Sequence, residues 1–342
     1  MRYKLLGRSG LRVSELALGT MTFGTEWGWG ASKEESKRIF DAFGAAGGNF
    51  VDTANRYTEG ASERFVGEFI AADRQRFVVA TKYTLFNRRD DPNASGNGRK
   101  NMVQSLEASL KRLGTDYIDL FWVHAWDFTT PAEEVLRGLD DLVAAGKVLY
   151  VGISDTPAWV VAQANTLADL RGWARFVGLQ IRYSLVDRAA ERDLLPMARA
   201  FDLAVTPWSV LAAGVLSGKY AREGSGDVRG RAAQWGLSER DLAIAAEVAA
   251  VAEETGSTPA QVAINWVRQQ PGVIIPLIGA KNVAQLNDNL GCLAFTLSGE
   301  QMQRLNAASK IELGFPHDFL ASGEVRDLVT GGSHQNLDNH RS

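Results

Sequence analysis

Short apolar runs alternate along the chain with stretches in which apolar positions recur every three or four residues. The runs fall at residues 16–18, 50–51, 77–80, 118–123, 148–153, 176–179, 203–205 and 273–278. Each is apolar on both faces, as strands of a sheet covered on both sides must be. Ahead of them, residues 3–6 and 11–13 flank the turn-forming stretch 7–10, and the pattern predicts a β-hairpin.

The stretches between the runs have helical spacing. Residues 33–46 place Ile39, Phe40 and Phe43 on one face, with Ser32 as N-cap. Residues 101–113 repeat Val103, Leu106, Leu110 and Leu113, and residues 131–145 repeat Val135, Leu139 and Leu142 behind Pro131. Eight strands alternating with helices predict an α/β fold, a (β/α)8 TIM barrel with an N-terminal hairpin, as one domain over residues 1–342. A doubly wound sheet shares this alternation, but neither G-x-G-x-x-G nor a Walker A motif occurs. Two segments break the pattern. Residues 209–237, with the glycine-rich stretch GSGDVRG, form a long connection after the seventh strand. Residues 310–342 follow a last helix begun near Ser298, as a tail over one barrel end that frays after Gly331.

Composition narrows the classes. A net charge of −3 gives no electrostatic footprint for nucleic acid, and Arg88 and Arg89 read as solvated loop charges. Cys292 is the single cysteine, which excludes an intrachain disulfide and a cysteine-based zinc site. The opening MRYKLLGRSG lacks the apolar core of a signal peptide, and no stretch is apolar enough to span a membrane, so the expected location is cytoplasmic. Neither H-E-x-x-H nor G-x-S-x-G occurs, which removes the simplest metalloprotease and serine-hydrolase readings.

The informative feature is what ends each strand: Asp52-Thr53, Thr81-Lys82, His124, Ser154-Asp155, Gln180, Trp208-Ser209 and Gly279. In a barrel these C-terminal ends converge on the face that carries active sites. Any one of them alone is as readily a turn residue, His124 a satisfied core histidine and Tyr57 a loop tyrosine; together they form a constellation. One histidine and one aspartate beside a lysine make a poor metal site. A tyrosine beside a lysine suits acid catalysis on a carbonyl. The ammonium should stabilise the phenolate and lower the phenol's pKa, Asp52 should hold Lys82 charged, and His124 should fix the substrate oxygen.

The stretch DTANRYTEGASE at residues 52–63 resembles the signature of the aldo-keto reductases, and Lys82 after VAT and His124 in VHAWD complete a similar tetrad. LALGTMTFG, GKVLYVGIS, LQIRYSL and LIGAKNVAQLNDNL agree in order, so the resemblance covers about residues 1–310. It lies nearest the branch holding aryl-alcohol dehydrogenases and potassium channel β subunits. The resemblance implies Asp52, Tyr57, Lys82 and His124 as catalytic residues, with Tyr57 the general acid, and NADP(H) as cofactor. It further implies that Ser154, Asp155 and Gln180 hold the nicotinamide carboxamide, that Gly19, Thr20, Met21 and Asp52 line the same pocket, and that Trp208 stacks there. Ser209, Leu211, Gly214 and Lys219 would grip the pyrophosphate, and Gly279, Lys281, Gln285 and Asn289 the adenosine 2′-phosphate end. Three positions depart from the family pattern: Asp155 for Asn, Trp208 for Tyr, and Lys281 for Arg. The last loses a bidentate fork and leaves NAD(H) possible.

The expected function is reduction of an aldehyde or ketone, with small-molecule partners and Trp27, Trp29, Phe86 and Trp126 forming an aromatic substrate pocket. Packing beneath loops is the plainer reading of each of these rings. The alternative function is a cofactor-sensing regulatory subunit with slow turnover, and a weaker third is a barrel lyase or isomerase.

Overall fold

The computed structural model describes residues 1–219 and 237–338. The chain opens with an antiparallel hairpin, β1 (Tyr3–Leu5) and β2 (Arg12–Ser14). Eight parallel strands follow: β3 (Ala17–Gly19), β4 (Phe50–Asp52), β5 (Val78–Tyr83), β6 (Ile118–Val123), β7 (Val148–Ser154), β8 (Phe176–Arg182), β9 (Ala204–Trp208) and β10 (Leu277–Ile278). They lie in sequence order from β3 to β9, with β10 beside β3. The ring closes through the residues preceding β10: Val205 N donates to Val273 O at 2.7 Å, and Ile275 N donates to Val205 O at 2.8 Å. The outcome is the (β/α)8 barrel expected from the alternation.

The hairpin closes the N-terminal end of the barrel. Leu6 and Val13 are fully buried and cluster with Ala17, Phe50, Val78 and Trp122 inside the ring. Gly7 makes the turn possible: its φ is 54°, and a Cβ there would lie 2.2 Å from Val177 O. Two further glycines set the interior packing. The Trp122 indole lies where side chains of Gly152 and Gly178 would project, so that a Cβ on Gly152 would meet ring atoms at 2.3 Å. One bulky inward side chain therefore fills space across three strands, and its neighbours must be small.

Outside the ring lie α1 (Lys33–Ala45), α2 (Ala61–Ile70), α3 (Arg99–Leu113), α4 (Ala132–Ala144), α5 (Ala158–Arg171), α6 (Leu194–Ala200), α7 (Glu239–Thr255), α8 (Pro259–Arg268), α9 (Val283–Leu290) and α10 (Gly299–Ala308). Ser32 caps α1 as expected, its side chain accepting from Glu35 N. On α3, Leu106, Leu110 and Leu113 are buried as expected, but Val103 is 38% exposed and Met102 is buried in its place, against Gly138. The tail after α10 carries two short helices not foreseen in the sequence, α11 (His317–Ala321) and α12 (Gly323–Thr330). GSGDVRG in the expected long connection lies outside the described residues, as do residues 339–342.

Candidate active site

Side chains on β5 alternate across the ring wall, so Lys82, two residues beyond Ala80, points inward. It is fully buried, a position that an ammonium tolerates only with its charge and all donors matched. Lys82 Nζ donates to Asp52 Oδ2, to Thr53 O at 2.8 Å and to the Tyr57 hydroxyl at 3.1 Å. The other Asp52 oxygen, Oδ1, accepts from Gln180 Nε2 at 3.0 Å. Three strand ends and one loop thereby meet at a single buried ion pair. Such a pair persists because its remaining hydrogen-bonding capacity is filled.

Tyr57 enters from a tight turn after β4. The next two residues, Thr58 and Glu59, hold positive φ of 46° and 53°. Thr58 Oγ1 pins the turn by donating to Phe23 O at 2.6 Å and accepting from Ser62 N at 3.2 Å. Strained backbone of this kind persists where its surroundings fix it. The His124 ring lies edge-on to the phenol, centroids 6.0 Å apart at 83°. His124 Nδ1 is buried and without a hydrogen-bond partner among the described residues. Burial, then the Lys82 ammonium, hold the imidazole well below its usual pKa, so it is neutral at physiological pH.

The phenol behaves differently from the sequence expectation. Its pKa is raised, because burial and the nearby carboxylates outweigh the pull of Lys82. Lys82 is itself held above the ordinary lysine range: burial pulls it down, and Asp52 and Tyr57 more than offset this. The arrangement thus stores a protonated phenol against a charged ammonium.

Around this centre the other predicted residues take definite positions. Thr20 donates to Asp52 O from both its N and its Oγ1, each at 2.9 Å, and Gly19 is in register with Asp52, while Met21 is exposed. Ser154 is buried and in register with Gln180. Asp155 has a φ of 42°, and its carboxyl accepts from the Trp208 indole Nε1 at 3.1 Å. Burial raises its pKa despite Trp208 and Lys82, so it is a less firmly charged acceptor than expected. After β9, Ser209, Ala212, Ala213 and Gly214 all have positive φ, with the Leu211 carbonyl accepting from Gly214 N at 2.8 Å. Ala212 N likewise donates back into the turn, to Ser209 O at 2.8 Å. Lys219, exposed, stands at its end. At the α9 end, Gln285 Oε1 accepts from Lys281 N at 3.0 Å and Asn289 Nδ2 donates to Gly279 O at 3.2 Å. A positive-φ turn ending at Lys219, an indole at a strand end and a second lysine beside a helix start supply the close-approach backbone, ring and cations that a dinucleotide needs.

Of the four aromatic residues expected to form one pocket, Trp27 and Phe86 are linked through one ion pair: the Trp27 indole donates to Glu59 Oε1 at 3.1 Å, and Arg56, which donates to the same oxygen at 2.7 Å, lies over the Phe86 ring. Trp126 borders a depression of about 340 Å³ with Phe128 and Trp159. Phe86 lies in another of about 480 Å³, between the guanidinium groups of Arg56 (4.2 Å) and Arg89 (4.5 Å). Trp27 pairs with Trp29 at 5.7 Å, and Trp29 lies 5.6 Å from the Lys281 ammonium.

Sequence reasoning missed the support behind the ion pair. Ser62 Oγ lies 2.7 Å from Thr20 Oγ1 and 2.8 Å from Thr53 Oγ1, and Glu63, fully buried, accepts from Thr81 Oγ1 at 2.6 Å and from Arg112. Both residues stand inside the DTANRYTEGASE stretch, but only burial reveals their work.

Comparison with known proteins identifies the family. The aldo/keto reductase family matches residues 15–310. An aryl-alcohol dehydrogenase [NADP(+)] of Phanerodontia chrysosporium is 40% identical, over 94% of this chain and 89% of its own length. A norsolorinic acid reductase of Emericella nidulans is 40% identical, over 91% and 82% respectively. An aryl-alcohol dehydrogenase of Pestalotiopsis microspora is 36% identical, over 94% and 86%. With the barrel, the buried Asp52–Lys82 pair bonded to Tyr57 and this match along most of its length, the chain belongs to the aldo/keto reductase family of oxidoreductases.

Proposed function

We propose that this protein reduces an aldehyde or ketone to an alcohol using NADP(H), with Tyr57 as general acid. The observation that carries the proposal is the 3.1 Å hydrogen bond from the buried Lys82 ammonium to the Tyr57 hydroxyl. When bound, the reduced nicotinamide supplies the hydride; the chain's own residues manage the proton. Burial keeps Tyr57 protonated, the form required of an acid. As negative charge develops on the substrate oxygen, the phenol gives up its proton, and Lys82 stabilises the resulting phenolate. Asp52 keeps Lys82 charged and aimed, and the neutral His124 hydrogen-bonds the substrate oxygen without adding charge.

Ser154, Asp155, Gln180, Gly19, Thr20, Met21 and Trp208 would surround the nicotinamide. The turn bearing Ser209, Leu211, Gly214 and Lys219 would hold the pyrophosphate. Gly279, Lys281, Gln285 and Asn289, at the loop and short helix after the eighth barrel strand, are placed where barrels commonly bind phosphate, and would take the adenosine 2′-phosphate end. NADP(H) is favoured by Lys281 and by the printed name of the Phanerodontia chrysosporium relative, with NAD(H) as an accepted second cofactor. The half-buried Trp126, the exposed Phe128 beside it and the aryl-alcohol names of two relatives favour aryl substrates.

The test is Tyr57→Phe. Cofactor affinity, read by quenching of tryptophan fluorescence, should remain within about twofold, while turnover of aryl aldehydes falls by roughly 10²–10⁴. Unchanged turnover would remove Tyr57 from the acid role. Tight NADPH binding by the unaltered protein without turnover on aldehydes, ketones and sugars would favour the regulatory reading.

A further inference from the structure

The start of α9 already holds an anion from within the chain. Glu35, on the first turn of α1, reaches across to α9, where its Oε1 accepts from Val283 N at 2.9 Å. Val283 is the first residue of α9, so the carboxylate sits on the positive end of the helix, among the backbone donors that a phosphate would use. The neighbouring donors are also engaged internally: Lys281 N by Gln285 Oε1 at 3.0 Å, and Gln285 N by Asn282 Oδ1 at 2.9 Å. On its other side Glu35 is paired with Arg38, one turn further along α1.

We infer that Glu35 is a specificity-determining residue that opposes the 2′-phosphate and narrows the protein's preference for NADP(H) over NAD(H). The inference rests on the reading that the adenosine end lies at α9. A 2′-phosphate approaching this helix start meets Lys281, which attracts it, and a carboxylate already bonded to Val283 N, which repels it and must be displaced for that donor to be used. A 2′-hydroxyl is neutral and suffers no such repulsion. Arg38 offsets part of the Glu35 charge and so moderates the effect. Cofactor preference at this site is then a balance among Lys281, Arg38 and Glu35, whose sum the lysine alone does not give.

The two charges predict opposite changes. Glu35→Gln keeps an oxygen able to accept from Val283 N but removes the charge, and should tighten NADPH binding about three- to tenfold while NADH changes by less than about twofold. Arg38→Gln leaves the carboxylate uncompensated and should weaken NADPH binding by a smaller factor, again sparing NADH. Dissociation constants for both cofactors, measured by tryptophan quenching on folded protein, give the ratio directly. An unchanged NADPH-to-NADH ratio in both variants would overturn the role of Glu35 while leaving the reductase reading intact. Failure of the unaltered protein to bind either cofactor would overturn that reading and this inference with it. If Glu35→Gln proves unstable, the exposed Arg38 carries the test, and no shift toward NADH in that variant counts against the inference.

Discussion

At the residue scale, one buried ion pair organises the site: Lys82 Nζ donates to Asp52 and to the Tyr57 hydroxyl, and Asp52 Oδ1 accepts from Gln180 Nε2. Asp52, Lys82 and His124 stand at the ends of apolar runs, and a strand that stops on a charged or imidazole side chain in a closed barrel aims it at the others. Burial, a property of the assembled fold, raises the Tyr57 pKa against the pull of Lys82. The same burial makes His124 a source of pH dependence. Its imidazole titrates near 6.5 when unfolded and well below that when folded. Between those values the unfolded chain binds one more proton than the folded one, so stability falls as the pH drops below about 6.5. This contribution is at most about 1.4 kcal/mol per pH unit. Melting temperatures from pH 7.5 to 5 should therefore fall less steeply in His124→Gln than in the unaltered protein. Parallel curves would mean that the folded imidazole takes up its proton as readily as the unfolded one.

At the element scale, strands read well where they were long and central and less well where pairing depends on neighbours. The apolar run 118–123 coincides with β6 end to end, since all six positions are buried. The last run, 273–278, shrank to Leu277–Ile278, because residues 273–275 use their backbone bonds to close the ring onto β9. Nothing in hydrophobic spacing distinguishes those two uses. Nor does spacing show that Gly152 and Gly178 make room for Trp122. Gly152→Ala places a methyl inside van der Waals contact with the indole and should destabilise the protein by about 1–3 kcal/mol. Adding Trp122→Phe to that background should recover part of the loss relative to the sum of the single variants, a coupling that urea denaturation would show. Strict additivity would mean that the strands move apart to accommodate the methyl without help from the indole.

At the scale of the whole molecule, the barrel and its C-terminal segment differ in how they are held. Arg188 donates to Asn306 O and Ser309 Oγ, Arg240 to Ser309 O, and Arg192 to Glu312 O and Leu313 O, so the chain is fastened to the barrel side through residue 313. Beyond this point neither α11 nor α12 has a buried residue, and Phe315 is 85% and Leu328 76% exposed. The sequence tail was legible as a break in the alternation, but its helices were not, because five- and eight-residue helices with no buried face leave no periodic stripe. Stability should follow this division. Ending the chain after Gly314 removes no buried side chain among the described residues and should leave the melting temperature within about 2 °C, as surface changes away from packed features do. Ending it after Ser298 removes the wholly buried Leu305 and Ser309 along with the acceptors of Arg188 and Arg240, and should lower the melting temperature by several degrees at least. A large loss from the first truncation would mean that α11 and α12 cover apolar surface in solution, and that their exposed Phe and Leu side chains belong to the packed molecule.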